Sequence, residues 1–177
     1  MTKIVTVFGS SKPLENEEEY QTAYYLGKEL GKRGFSVCTG GYQGIMDAVS
    51  RGAVEMGSEA IGITVDIFNA RKSEYLTKEI ECSSLLERLG ELIELGDAYI
   101  ILRGGTGTLV ELSLVWEMIN KHIIPHKPAA CHGEMWSGLV KTMDDRIAYE
   151  RRETGLVKSF LDIDECINYI SEKLGAD

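Results

Sequence analysis

Three short runs of small residues carry the chemical signal in this 177-residue chain: Gly9-Ser10-Ser11, Gly40-Gly41 with Gly44, and Gly104-Gly105-Thr106-Gly107-Thr108. Each follows a strand-like apolar run and precedes a segment of helical spacing. Glycine lets the backbone come close to a ligand. A helix that begins at such a turn points free N–H groups at an anion. Thr106 and Thr108 add hydroxyl donors. Along the carboxyl edge of a parallel sheet, three turns of this kind describe a pocket for a phosphate-bearing ligand. No G-x-G-x-x-G follows Phe8, and no Gly-Lys-Ser/Thr follows the third run, so hydride transfer and nucleoside triphosphate hydrolysis lose their usual signatures. The pattern points to a mononucleotide or a similar phosphorylated heterocycle.

Other chemistry-bearing residues give weaker signals. His122 and His126 have the i, i+4 spacing that suits zinc, with Cys131 and His132 following, but Pro125 interrupts the helix that would present them. No metal is expected. Arg151-Arg152 reads as a solvated helix face. Cys38, Cys82, Cys131 and Cys166 form no C-x-x-C pair and read as reduced thiols packed like small apolar side chains.

The elements that must position these turns follow from periodicity. Strands are expected at 3–8, 35–39, 59–63 and 98–102, the last apolar enough to be buried on both faces. Shorter ones are expected near 78–82, 127–130 and 160–163. A helix is expected over 17–33, stopped by Gly34, and a second through Ile45, Val49, Ala53 and Met56, ended by Gly57. Ser84 caps a third carrying Leu85, Leu89 and Leu92, with Glu87 completing a capping box. Leu109, Leu112, Val115, Trp116 and Ile119 mark the fourth; the fifth spans 135–147, and Asp164 caps a sixth ending at Leu174. This alternation predicts an α/β fold: a Rossmann-like, doubly wound parallel sheet in three αβα layers, one domain over 1–177.

Apolar residues make up 44% and charged residues 27%, a globular mixture, and no apolar run is long enough to span a bilayer. The net charge of −9, without a Lys/Arg block, argues against nucleic acid or an anionic membrane as partner. The start, Met1-Thr2-Lys3-Ile4-Val5, leads directly into a strand pattern with no secretory apolar region, so a cytoplasmic location is expected.

The run Arg103-Gly104-Gly105-Thr106-Gly107-Thr108-Leu109-Val110-Glu111 resembles the P-G-G-x-G-T-x-x-E motif of the LOG (LONELY GUY) family, whose members are often labelled "possible lysine decarboxylase". Arg88 falls where that family carries its active-site arginine, and Glu111 where it carries its catalytic glutamate. Gly40-Gly41-Tyr42-Gln43-Gly44-Ile45-Met46 is similar to the family's earlier glycine-rich turn with its G-x-M. Phe8-Gly9-Ser10-Ser11, Trp116 and Lys127-Pro128 also match, so the likeness covers nearly the whole chain. Arg103 stands in place of the usual proline, and Val110 in place of the first of two glutamates.

The resemblance implies a nucleoside 5′-monophosphate phosphoribohydrolase, which cleaves AMP or a cytokinin riboside monophosphate to free base and ribose 5-phosphate. It also admits a related branch, the molybdenum-cofactor carriers, which bind a phosphorylated pterin without catalysis. No cofactor is expected for the hydrolase, and no lysine stands out as a Schiff-base site for decarboxylation. The residues implied as a site are Arg88 and Glu111 for chemistry, and Gly9, Ser10, Gly40, Gly41, Gly44, Met46, Gly104, Gly105, Thr106, Gly107 and Thr108 for binding. A homodimer or higher homo-oligomer is implied too, with Leu109, Leu112 and Trp116 as interface or core. Glycoside cleavage develops positive charge on the ribosyl ring, and a carboxylate near the anomeric carbon stabilises it or activates water. An arginine grips phosphate or orients that carboxylate through its planar fork. Arg103, as an extra cation, favours a more highly charged ligand.

Overall fold

The computed structural model describes residues 2–175; Met1, Ala176 and Asp177, within the expected domain bounds, lie outside the described residues. Seven strands alternate with six helices. β1 (Ile4–Phe8), β2 (Ser36–Thr39), β3 (Ala60–Val65) and β4 (Lys78–Cys82) form one half of the sheet. β5 (Ala98–Ile101), β6 (Ala129–His132) and β7 (Val157–Phe160) form the other. All pairs are parallel, in the order β4-β3-β2-β1-β5-β6-β7. The order reverses between β1 and β5, the place where an open α/β sheet leaves a crevice at its carboxyl edge.

Helices α1 (Glu18–Lys32), α2 (Ile45–Glu55) and α6 (Ile163–Leu174) cover one face, packing Leu26, Leu30, Val49 and Ile167 onto Val5, Val7 and Ile100. Helices α3 (Leu85–Leu95), α4 (Thr106–Asn120) and α5 (Glu134–Tyr149) cover the other, packing Leu92, Leu112, Trp116 and Trp136 onto Phe8, Tyr99 and Ile101. β5, with every residue of Ala-Tyr-Ile-Ile buried, is the central strand its composition predicts. The three-layer αβα arrangement is the predicted one.

Three local expectations change. β6 begins at Ala129, two residues past the expected start: Pro128 has no N–H to give a ladder and only accepts from the Tyr99 N–H, and Lys127 turns its ammonium to the carbonyls of Ile93 and Glu94. β7 covers Val157–Phe160 rather than 160–163: Asp162 takes over as a cap, accepting from the N–H groups of Asp164 and Glu165 at 2.7 and 3.3 Å, so α6 starts before Asp164. At α3, Ser84 Oγ accepts from the Glu87 N–H at 3.2 Å, half of a capping box. The Glu87 carboxylate closes on Ser83 N–H and Oγ instead, one residue outside the expected partner. The stretch after β3 opens with a 3₁₀ turn, Asp66–Phe68.

Candidate active site

The three glycine-rich turns are tied together by their backbones. The Ser10 N–H donates to the Arg103 carbonyl at 3.1 Å, and the Ile45 N–H to the Ser10 carbonyl at 2.9 Å. The ends of β1, β2 and β5 therefore form one edge. Within it, Gly9 packs against the Ile45 side chain and Gly41 against β3, so these two serve the junction of the turns.

Arg88 and Glu111, far apart in sequence, meet beside this edge. Arg88 lies in the first turn of α3 and is buried. Its Nε donates to the Ile63 carbonyl at 2.8 Å and its Nη2 to the Gly40 carbonyl at 3.2 Å. The guanidinium rests against the rings of Tyr42 and Phe68, 5.7 and 5.5 Å from their centroids. Tyr42 is itself fixed, its hydroxyl donating to the Val65 carbonyl and accepting from the Val65 N–H. Gly40 leaves room for the arginine: a Cβ there would fall 1.9 Å from Nη2 and 2.7 Å from the sulfur of Met46. Thus Gly40 and Met46 frame Arg88.

Glu111 sits in the second turn of α4, its side chain 13% exposed, and its Oε1 is 3.8 Å from Arg88 Nη1. That distance is too long for a hydrogen bond but gives charge–charge attraction. Burial pushes the Glu111 carboxyl up to about 7, against the pull of Arg88, which lowers it. Both protonation states are populated near neutrality, as suits a group that takes or gives a proton. With Nε and one Nη2 N–H bonded to backbone carbonyls, Arg88 presents Nη1 toward Glu111.

The turn before α4 is open. Gly105 and Gly107 have no atom within 4 Å of where a Cβ would project. Gly104 is filled by Thr108, whose Oγ1 would lie 2.1 Å from a Cβ there; Thr108 is buried and Thr106 exposed. No side chain caps α4 and no acidic residue occupies its first turn, while all five other helices carry one there. Its first N–H groups, those of Thr106, Gly107 and Thr108, are left for an anion.

The remaining sequence candidates are separated. Cys131 is buried in β6, and His122 follows the end of α4 in the left-handed region (φ 54°). No group of three His, Cys, Asp or Glu side chains converges for a metal among the described residues. Trp116 and Leu112 belong to the core, whereas Leu109 and Val110 stay exposed. Arg103 Nη1 lies 3.1 Å from Glu19 Oε1, so its charge is already partnered. Sequence reasoning missed the contacts of Arg88 with Tyr42, Phe68 and Ile63, which bring together the β2–α2 connection, β3 and the 3₁₀ turn that follows it.

The model of the SLOG cluster4 family matches residues 2–153. The chain is 33% identical over 129 residues to a probable cytokinin riboside 5′-monophosphate phosphoribohydrolase of Oryza sativa subsp. japonica, covering 70% of this chain and 51% of that one. It is 29% identical to a cytokinin riboside 5′-monophosphate phosphoribohydrolase of Rhodococcoides fascians, over 70% of this chain and 65% of that one. It thus spans between half and two-thirds of these curated relatives. Among solved structures, the molybdenum cofactor carrier protein of Chlamydomonas reinhardtii superposes with a TM-score of 0.78 at 22% identity, covering 99% of both chains. The molybdenum cofactor binding protein of Rippkaea orientalis gives 0.80 at 21% identity, covering 98% of both. These two establish likeness of fold. No described helix is long and apolar enough to cross a membrane.

Proposed function

The chain belongs to the SLOG cluster4 family, and from that premise we propose that it hydrolyses the N-glycosidic bond of a nucleoside 5′-monophosphate. The observation that carries this reading is the buried Arg88–Glu111 pair beside the open, uncapped start of α4.

In this reading the 5′-phosphate lies on the N–H groups of residues 106–108, with the Thr106 hydroxyl as a further donor. The bond between C1′ and the base nitrogen breaks, its electron pair leaving with the base, and the ribosyl ring becomes cationic. Ionised Glu111 stabilises that cation and takes a proton from the water that adds to C1′. The departing base takes up a proton from solvent, and ribose 5-phosphate is the second product. Arg88 acts as a positioning residue: it lowers the cost of ionising Glu111 and ties α3 to the ends of β2 and β3. The relatives' names support the substrate class, a riboside 5′-monophosphate.

A homo-oligomer belongs to the same proposal, with exposed Leu109 and Val110 on α4 supplying apolar contact surface next to the site. The alternative is a carrier of a phosphorylated cofactor such as molybdenum cofactor, supported by the full-length match to two such proteins. Incubation with AMP separates the two. Free adenine supports the hydrolase; no base from any monophosphate, together with pterin absorbance in freshly purified protein, supports the carrier.

A further inference from the structure

Arg88 is almost fully buried, yet one of the two rings against it, Phe68, is 43% exposed. That ring meets the guanidinium on one side and solvent on the other. The centroids of Phe68 and Tyr42 lie 5.7 Å apart, with their planes at 71°, and each is about as far from the guanidinium carbon. Rings on opposite faces of the guanidinium would stand much farther apart, so these two form a corner on one side of it.

The two halves of the corner are held differently. Tyr42 is bonded through its hydroxyl to both backbone groups of Val65. Phe68 ends the 3₁₀ turn, where the bond from the Asn69 N–H to the Asp66 carbonyl is long, at 3.4 Å. Asn69 itself takes the left-handed conformation, at φ 40°, which asparagine tolerates better than most residues. The chain is fastened to the body again only farther on. There Gln43 Nε2 donates to the Lys72 carbonyl and the Ser73 N–H to the Gly41 carbonyl, both at 3.0 Å. Between Val65 and Lys72, no hydrogen bond reaches another element among the described residues. Packing of Phe68 on Arg88 and Tyr42 therefore seats the turn, while Ile67 beside it stays exposed.

The bonds from Nε and Nη2 of Arg88 to two carbonyls leave the guanidinium plane free to tilt about the line joining these nitrogens. That tilt carries Nη1 toward or away from Glu111, to which no hydrogen bond holds it. A ring against the cation opposes the tilt, and the attraction grows where water is excluded. We propose that Phe68 is a positioning residue for the Arg88–Glu111 pair: its ring, seated with Tyr42, fixes the tilt of the guanidinium and keeps water off it. Only the rate measurement below rests on the hydrolase reading; the hold on Arg88 is read without substrate.

The test compares wild type with Phe68→Ala, Phe68→Leu and Phe68→Tyr. The first readout is hydrogen exchange of the Arg88 Nε–H, followed by nuclear magnetic resonance. It should be about tenfold faster in Phe68→Ala and Phe68→Leu, and near the wild-type rate in Phe68→Tyr. The Ile100 amide in β5 should keep its rate throughout, which shows that the fold is intact. The second readout is AMP hydrolysis. Phe68→Ala and Phe68→Leu should lose about tenfold in kcat with KM within about twofold, since the phosphate is gripped at α4, and Phe68→Tyr should recover most of the loss. Arg88 exchange that Phe68→Ala leaves unchanged overturns the proposal. So does leucine that restores exchange and rate as well as tyrosine, because apolar cover alone then suffices. A raised KM with unchanged kcat overturns it too, because Phe68 then binds substrate instead. Wild type that releases no adenine, with Arg88 exchange changed as expected, removes the hydrolase and keeps the hold of Phe68 on Arg88.

Discussion

Replacing Glu111 by glutamine is expected to stabilise the protein increasingly as pH rises. The carboxyl is moved from its ordinary 4.5 up to about 7 by burial, with Arg88 only partly compensating. A group raised in this way contributes full stability below its unfolded value, where it is neutral in both states. That contribution is lost as pH climbs through the folded value, because the unfolded chain then ionises freely and the folded chain does so at a cost. With each tenfold in protonation equilibrium worth about 1.36 kcal/mol, the loss between pH 5 and pH 8 is roughly 2–3 kcal/mol. Glutamine has no such loss, and other titrating groups cancel in the comparison. The assay is urea unfolding of wild type and Glu111→Gln at both pH values and one protein concentration, since association shifts apparent stability. The advantage of the variant should be larger at pH 8 by that amount. An advantage that is the same at both pH values, within about 0.5 kcal/mol, refutes the reasoning, and with it the buried, half-ionised carboxyl near neutrality.

Arg88→Ala strips two carbonyls of their donor and removes the cation beside Glu111, so urea unfolding should show a loss of about 3–5 kcal/mol. Any remaining AMP hydrolysis should have its pH profile moved upward, because Glu111 loses the charge that favours its ionised form. Gly107→Ala places a methyl in open space within α4: the protein should gain up to about 1 kcal/mol in a thermal melt, and inorganic phosphate or AMP should bind at least tenfold more weakly by calorimetry. Light scattering at micromolar concentration should find wild type as a homo-oligomer and Leu109→Glu as a smaller species; a monomeric wild type rules out the α4 contact.

Strand and helix order was legible because each buried element carries its own period. β5 is apolar at every position and α3 bears Leu85, Leu89 and Leu92 one turn apart. The edge was harder. β7 pairs on one side only and reads Val-Lys-Ser-Phe, so the apolar Leu161 and Ile163 beyond it mimicked a strand that the Asp162 cap cuts short. Arg88 and Glu111 were legible only through the spacing of a resembled motif. Their burial, and the commitment of two arginine nitrogens to Ile63 and Gly40, depend on segments that the fold alone brings together. The same holds for Arg103: local sequence showed an odd cation after β5, and the Glu19 partner came from α1, 84 residues away.

The most direct measurement is the release of adenine from AMP, followed chromatographically for wild type and Glu111→Gln side by side, with ribose 5-phosphate quantified in the same samples. Wild type should release the two products in equal amounts. The variant, folded and still able to bind AMP, should be slower by roughly a hundredfold or more, the scale of a lost acid–base or charge-stabilising group. Wild type that releases adenine while Glu111→Gln keeps most of that rate contradicts the assignment of Glu111, and wild type that binds AMP but releases no adenine contradicts the hydrolase itself.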